Sequence, residues 1–133
     1  MGSGHSRFIL AAFFVAAGIL HFVAPAAYLA IMPPYLPWHT RLVAISGVAE
    51  IAGGIALCVP QTRRLAAWSL IVLLILVFPA NLRAISSGMR IAGNSVPAEL
   101  LWARLPLQLL LIAWVYVVCL RSRSHAQADG PCD

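Results

Sequence analysis

Five side chains carry polar chemistry inside otherwise apolar segments of this sequence: His21, Glu50, Asn81, Arg104 and Gln108. Glu50 is the most unusual. The stretch 42–59 around it is otherwise apolar or small. A carboxylate in the middle of a bilayer-length helix costs roughly 2.5–3.5 kcal/mol on insertion scales, so it usually serves function or architecture. Arg104 and Gln108 stand i, i+4 and stack on one face of a helix. A guanidinium can meet a carboxylate through two parallel hydrogen bonds, which makes Arg104 the expected partner of Glu50. Arg83 is the reserve. It lies roughly 200° around the helix from Asn81, so the two do not both point inward.

These groups suit binding better than catalysis. No nucleophile–base pair, metal set or cofactor motif is visible in the sequence. Cys58, Cys119 and Cys132 form no C-x-x-C pair, and the odd count does not suggest a disulfide framework. The four histidines are scattered, with no zinc-ligand spacing. We therefore take His21, Glu50, Asn81, Arg104 and Gln108 as candidate ligand-binding residues, with no catalytic and no metal residue assigned. A structural alternative stands beside it: a buried ion pair with amide neighbours can simply fix the register of greasy helices.

Composition says what must position these groups. Of 133 residues, 62% are hydrophobic and 10% charged, with a mean hydropathy of +0.90. So few charges cannot cover so much apolar surface in water, so the chain reads as an integral membrane protein of one domain. The net charge of +5 comes from arginines that punctuate the ends of apolar segments. That pattern marks topology and interfacial anchoring, and the basic face that nucleic-acid binding needs is absent.

Four apolar segments, about 8–24, 42–59, 65–85 and 102–120, approach the roughly 20 residues that span a bilayer. The expected fold is all-α, an integral membrane four-helix bundle with antiparallel neighbours over residues 1–121. A polar tail, expected to be disordered by its composition, follows at 122–133. The tight turn at 60–64 makes the second and third spans antiparallel neighbours. Residues 25–40 hold Pro25, Pro33, Pro34 and Pro37 with Tyr28, Tyr35 and Trp38, which reads as an irregular lid at the membrane interface. Residues 86–97 form a polar, glycine-containing connection whose end, Ser95 and Pro97, starts the last helix. The tryptophans read mainly as interfacial anchors.

The arginine distribution favours both termini on the cytoplasmic side, with Arg7, Arg63, Arg64, Arg121 and Arg123 inside. A cleaved leader is disfavoured. The first apolar run is longer than a usual leader core, and Pro25 falls inside the Ala24-Pro25-Ala26 cleavage pattern. With the spans alternating in direction, all five polar residues fall in the outer half of the bundle, Glu50 about 13 Å below Arg41. Gly47 and Gly54 share a stripe with Glu50 between them, and Ser46, Ala49 and Gly53 add small residues nearby. Small residues let membrane helices approach closely, so Glu50 is expected to face inward. The inner half offers almost no polar groups, which argues against a proton or solute pathway.

At these residues the chain resembles the DoxX-like family of small bacterial inner-membrane proteins. The matching pieces are Gly18-Ile-Leu-His21-Phe with Pro25 and Tyr28, Met32-Pro33-Pro34 with Pro37, and Ser46-Gly47 with Glu50 and Gly53. Arg63-Arg64 with Ala66-Ala67-Trp68, Phe78-Pro79-Ala80-Asn81 and Trp102 with Arg104-Leu105-Pro106-Leu107-Gln108 follow in order. They span about residues 7–120, and Arg83 departs from the pattern. The resemblance implies a four-helix inner-membrane bundle. It also implies association with membrane redox or stress systems, a quinone-like ligand and a redox partner protein. The alternative it leaves open is a non-enzymatic anchor or assembly subunit of a larger complex.

Overall fold

The computed structural model describes residues 3–91 and 93–121, so the tail expected at 122–133 lies outside the described residues. Apolar length becomes helix throughout: α1 (Ser3–Val23), a short α2 (Pro25–Ala30), α3 (His39–Cys58), α4 (Arg63–Leu76), α5 (Phe78–Ser87) and α6 (Ala98–Val115). A π-helical turn, Tyr116–Leu120, extends α6. Among the described residues the fold is all-α apart from one antiparallel hairpin, β1 (Arg90–Ile91) with β2 (Asn94–Ser95). Four helical stretches are long and apolar enough to cross a membrane: Gly4–Val23, His39–Cys58, Arg63–Ser87 and Ala98–Leu120. All four begin a few residues before the expected apolar cores, because hydropathy marks the greasy centre of a helix and not its hydrogen-bonded ends.

Prolines place the breaks. Pro25 opens α2 at its first turn, where a missing N–H costs nothing. Pro79, the second residue of α5, cannot donate to the carbonyl of Ile75 and its ring crowds that carbonyl. The expected third span is therefore two helices, α4 and α5, joined at Val77. Residues 31–38 turn sharply into α3. Trp38 takes a left-handed φ of 54°, and His39 Nε2 donates to the Pro33 carbonyl at 3.1 Å.

Glycine lets α1 and α3 approach closely. A Cβ on Gly18 of α1 would sit 2.6 Å from the Gly47 carbonyl oxygen of α3, and one on Gly54 2.9 Å from the Ala11 carbonyl oxygen. The stripe expected on α3 is thus the surface that seats α1. Gly53 faces Leu70 of α4 instead. Ala49, grouped with the stripe from the sequence, is exposed, because it lies one residue, about 100°, around the helix from Glu50. At the far end of α3, Thr62 Oγ1 and Arg63 Nε donate to the carbonyls of Ala56 and Leu57, closing a tight turn into α4.

Two apolar clusters divide the interior. Leu10, Phe14, Leu57, Leu70 and Val115 anchor the larger one, near the chain's two ends. Ala27, Ile31, Ala84, Met89 and Leu101 form a smaller cap under α2 and the hairpin. The outward faces stay greasy: Ile45, Leu76 and Leu109 are each more than 60% exposed.

Candidate functional site

Between the two clusters lies a cavity of about 180 Å³, lined from all six helices. Its polar lining includes His21 from α1, Glu50 from α3, Asn81 from α5, and Arg104 and Gln108 from α6. All five residues singled out in the sequence line it. Phe14, Leu74 and Leu111 belong to the larger apolar cluster and also line the cavity, while Ile31 belongs to the cap. The cavity is small. Cavities near 150 Å³ admit benzene, whereas drug-sized ligands need roughly 300 Å³ or more.

The expected Glu50–Arg104 pair is not formed. Among the described residues, Glu50 approaches His21, with Nδ1 and Oε2 3.5 Å apart. That separation is not a hydrogen bond: His21 Nδ1 donates to the Ala17 carbonyl at 3.0 Å, one turn back on its own helix. Glu50 Oε2 is buried without a hydrogen-bond partner. Arg104 instead points its Nη1 at the Met89 sulfur, 2.9 Å away. The connection 86–97 folds back and buries Met89, placing a soft acceptor within reach of the guanidinium. A thioether is a weak acceptor. Arg83, the reserve partner, does not line the cavity and is half-buried, with its Nε unpartnered.

Asn81 and Gln108 behave differently. Asn81 Nδ2 donates to Gln108 Oε1 at 2.8 Å, and Gln108 Nε2 donates to the Leu74 carbonyl. The network stitches α6 to the α4–α5 junction, beside the break that Pro79 imposes. The carbonyl that Gln108 takes is the neighbour of the Ile75 carbonyl that Pro79 leaves without its helical donor.

Sequence reasoning placed Tyr28 in the interfacial lid and missed its part in the site. It stacks on His21 with ring centroids 3.9 Å apart and planes 19° from parallel, and it lines the cavity. Burial first, then the Glu50 carboxylate, pushes the Tyr28 phenol above its ordinary value, with Arg104 pulling the other way. The available signal was its position seven residues after His21, just across the Pro25 break. Trp102, an anchor by sequence, is exposed and outside the cavity.

Residues 10–119 match the family described as Domain of unknown function (DUF8561), and the chain belongs to that family. No curated protein and no solved structure matches it.

Proposed function

We propose that this chain is a multi-pass membrane protein that binds a small amphipathic molecule in the cavity between its two apolar clusters. One observation carries the reading: Glu50 is a buried carboxyl whose Oε2 has no hydrogen-bond partner and which lines a cavity. An orphaned acceptor of that kind is costly in a purely structural role. Greasy outer faces on four membrane-length helices support the bundle's place in a bilayer. The arginine distribution supports cytoplasmic termini. The DoxX-like resemblance supports a bacterial inner membrane and adds a quinone-type head group as one ligand class, with a redox complex as the setting. A single ring of that kind suits the cavity's size.

A second reading makes the bundle an anchor or assembly subunit with its polar groups purely structural. The Asn81–Gln108–Leu74 network favours it on one wall, since both ends of the Gln108 amide are paired within the chain. Mass spectrometry of lipophilic molecules retained by gently purified protein separates the two. The binding reading expects a defined species with wild type that is lost in Glu50→Gln at equal folded yield. A clean wild-type spectrum in native lipid would overturn it.

A further inference from the structure

Glu50 and Arg104 share one cavity without touching, and each lacks its natural complement. Glu50 is 8% exposed, and its Oε2 has no donor. Arg104 has the Met89 thioether as its hydrogen-bond acceptor among the described residues. A guanidinium carries five N–H donors in a rigid fork, and Arg104, half-buried and lining the cavity, has donors to offer beyond the one given to sulfur. A buried acceptor without a donor is costly unless an occupant completes it, and an occupant of the same cavity can also receive from Arg104.

We infer that the occupant is a single-ring phenol that also carries an oxygen acceptor, its hydroxyl donating to Glu50 Oε2 and its acceptor oxygen receiving from Arg104. The inference rests on the binding reading above and names its ligand class. Three observations converge on it. Size admits one ring: about 180 Å³ is close to the volume that takes benzene. Polarity demands a donor at Glu50 and an acceptor at Arg104. Charge disfavours a cationic occupant, because the Arg104 guanidinium lines the same space. The remaining wall suits a ring, with Phe14, Leu74 and Leu111 beneath it and Ile31 above.

The test is a matched probe series against wild-type protein in lipid nanodiscs, read by calorimetry. The probe 4-hydroxyacetophenone has both groups, 4-methoxyacetophenone lacks the donor, and 4-ethylphenol lacks the carbonyl acceptor. We expect one-to-one binding of the first, and about tenfold or more weaker binding of each of the others, the order expected for losing a hydrogen bond to a charged group. In Glu50→Gln the difference between hydroxyl and methoxy probes should shrink. In Arg104→Met the difference between ketone and ethyl probes should vanish, with folding of both variants checked by helical circular dichroism. The wild-type series stands alone should either variant fail to fold. Equal affinity for all three rings would overturn the phenol assignment while leaving a ring-binding cavity intact. Binding of none of them, beside a co-purified lipophile of another class, would likewise overturn it and spare the binding reading. Binding of none with no co-purified species would overturn both.

Discussion

The two polar walls of the cavity differ in completeness. On the α5–α6 side, Asn81, Gln108 and the Leu74 carbonyl satisfy one another across a helix break. On the α1–α3 side, His21 spends its Nδ1 proton on its own helix, and Glu50 Oε2 is left without a donor. Burial is alike on both, since Gln108 is 4% exposed and Glu50 8%. Partnership distinguishes them. A satisfied network stabilises and specifies the packing of its helices, whereas an orphaned acceptor lining a cavity can take a donor from whatever enters it. On the binding reading, the Asn81–Gln108–Leu74 network is therefore architecture, whereas Glu50, with Arg104 lining the same cavity, is recognition.

The largest effect should come from breaking the seat of the second wall alone. In Gly18→Ala the added methyl would meet the Gly47 carbonyl oxygen at 2.6 Å and Ile51 Cγ1 at 2.7 Å. Backbone cannot yield as a side chain can, so α1 must move off α3 and carry His21 away from Glu50. We expect a loss of about 1–3 kcal/mol in SDS-titration unfolding, the usual cost of overpacking. In Gly53→Ala the methyl meets the Leu70 side chain and not backbone, so the loss should be smaller. Equal losses at the two glycines would show that the close α1–α3 backbone approach contributes nothing special.

Next comes the contrast between the walls themselves. Gln108→Leu strands both Asn81 Nδ2 and the Leu74 carbonyl, and should lower stability by about 1 kcal/mol, between the average of roughly 0.6 and the maximum of roughly 1.7 for hydrogen bonds inside membranes. Glu50→Gln strands nothing already paired. Its stability should change by less than about 0.5 kcal/mol, while retention of the lipophile is lost. Should Glu50→Gln cost as much folded protein as Gln108→Leu, the division into architecture and recognition fails.

The sequence reached this division only in part, and for definable reasons. Span number, the glycine stripe of α3 and the convergence of five polar residues depend on apolar length and helical periodicity, which local sequence carries directly. The partner of Glu50 does not. Whether Arg104 reaches a carboxylate or a sulfur depends on where the connection 86–97 deposits Met89, and a two-residue hairpin leaves little pattern to read. Tyr28 was hidden for the same reason, because α2 is six residues long and its placement follows from the break at Ala24. The division of the third span was within reach. Pro79 announced it, and only the apolar continuity of residues 65–85 argued against it.

The smallest effect is also the most local probe of the comparison. Tyr28 stacks on His21 outside the four spans, and its phenol is raised above 10.0 first by burial and then by the Glu50 carboxylate. A raised folded value means that the protonated phenol is the form the fold favours. Its contribution to stability is fully present below pH 10.0 and is lost as pH climbs through the folded value. Glu50→Gln removes the second cause, so the Tyr28 titration should move down while staying above the ordinary value. Arg104→Met removes the opposing cause and should move it up. Gln108→Leu, on the completed wall, should leave it in place. Phenolate absorbance reads all three, with Tyr28→Phe subtracted to remove the exposed Tyr35 and Tyr116. A titration indifferent to Glu50→Gln would mean that the carboxylate's field does not reach the ring above it, and the recognition wall would lose the member that the sequence alone did not reveal.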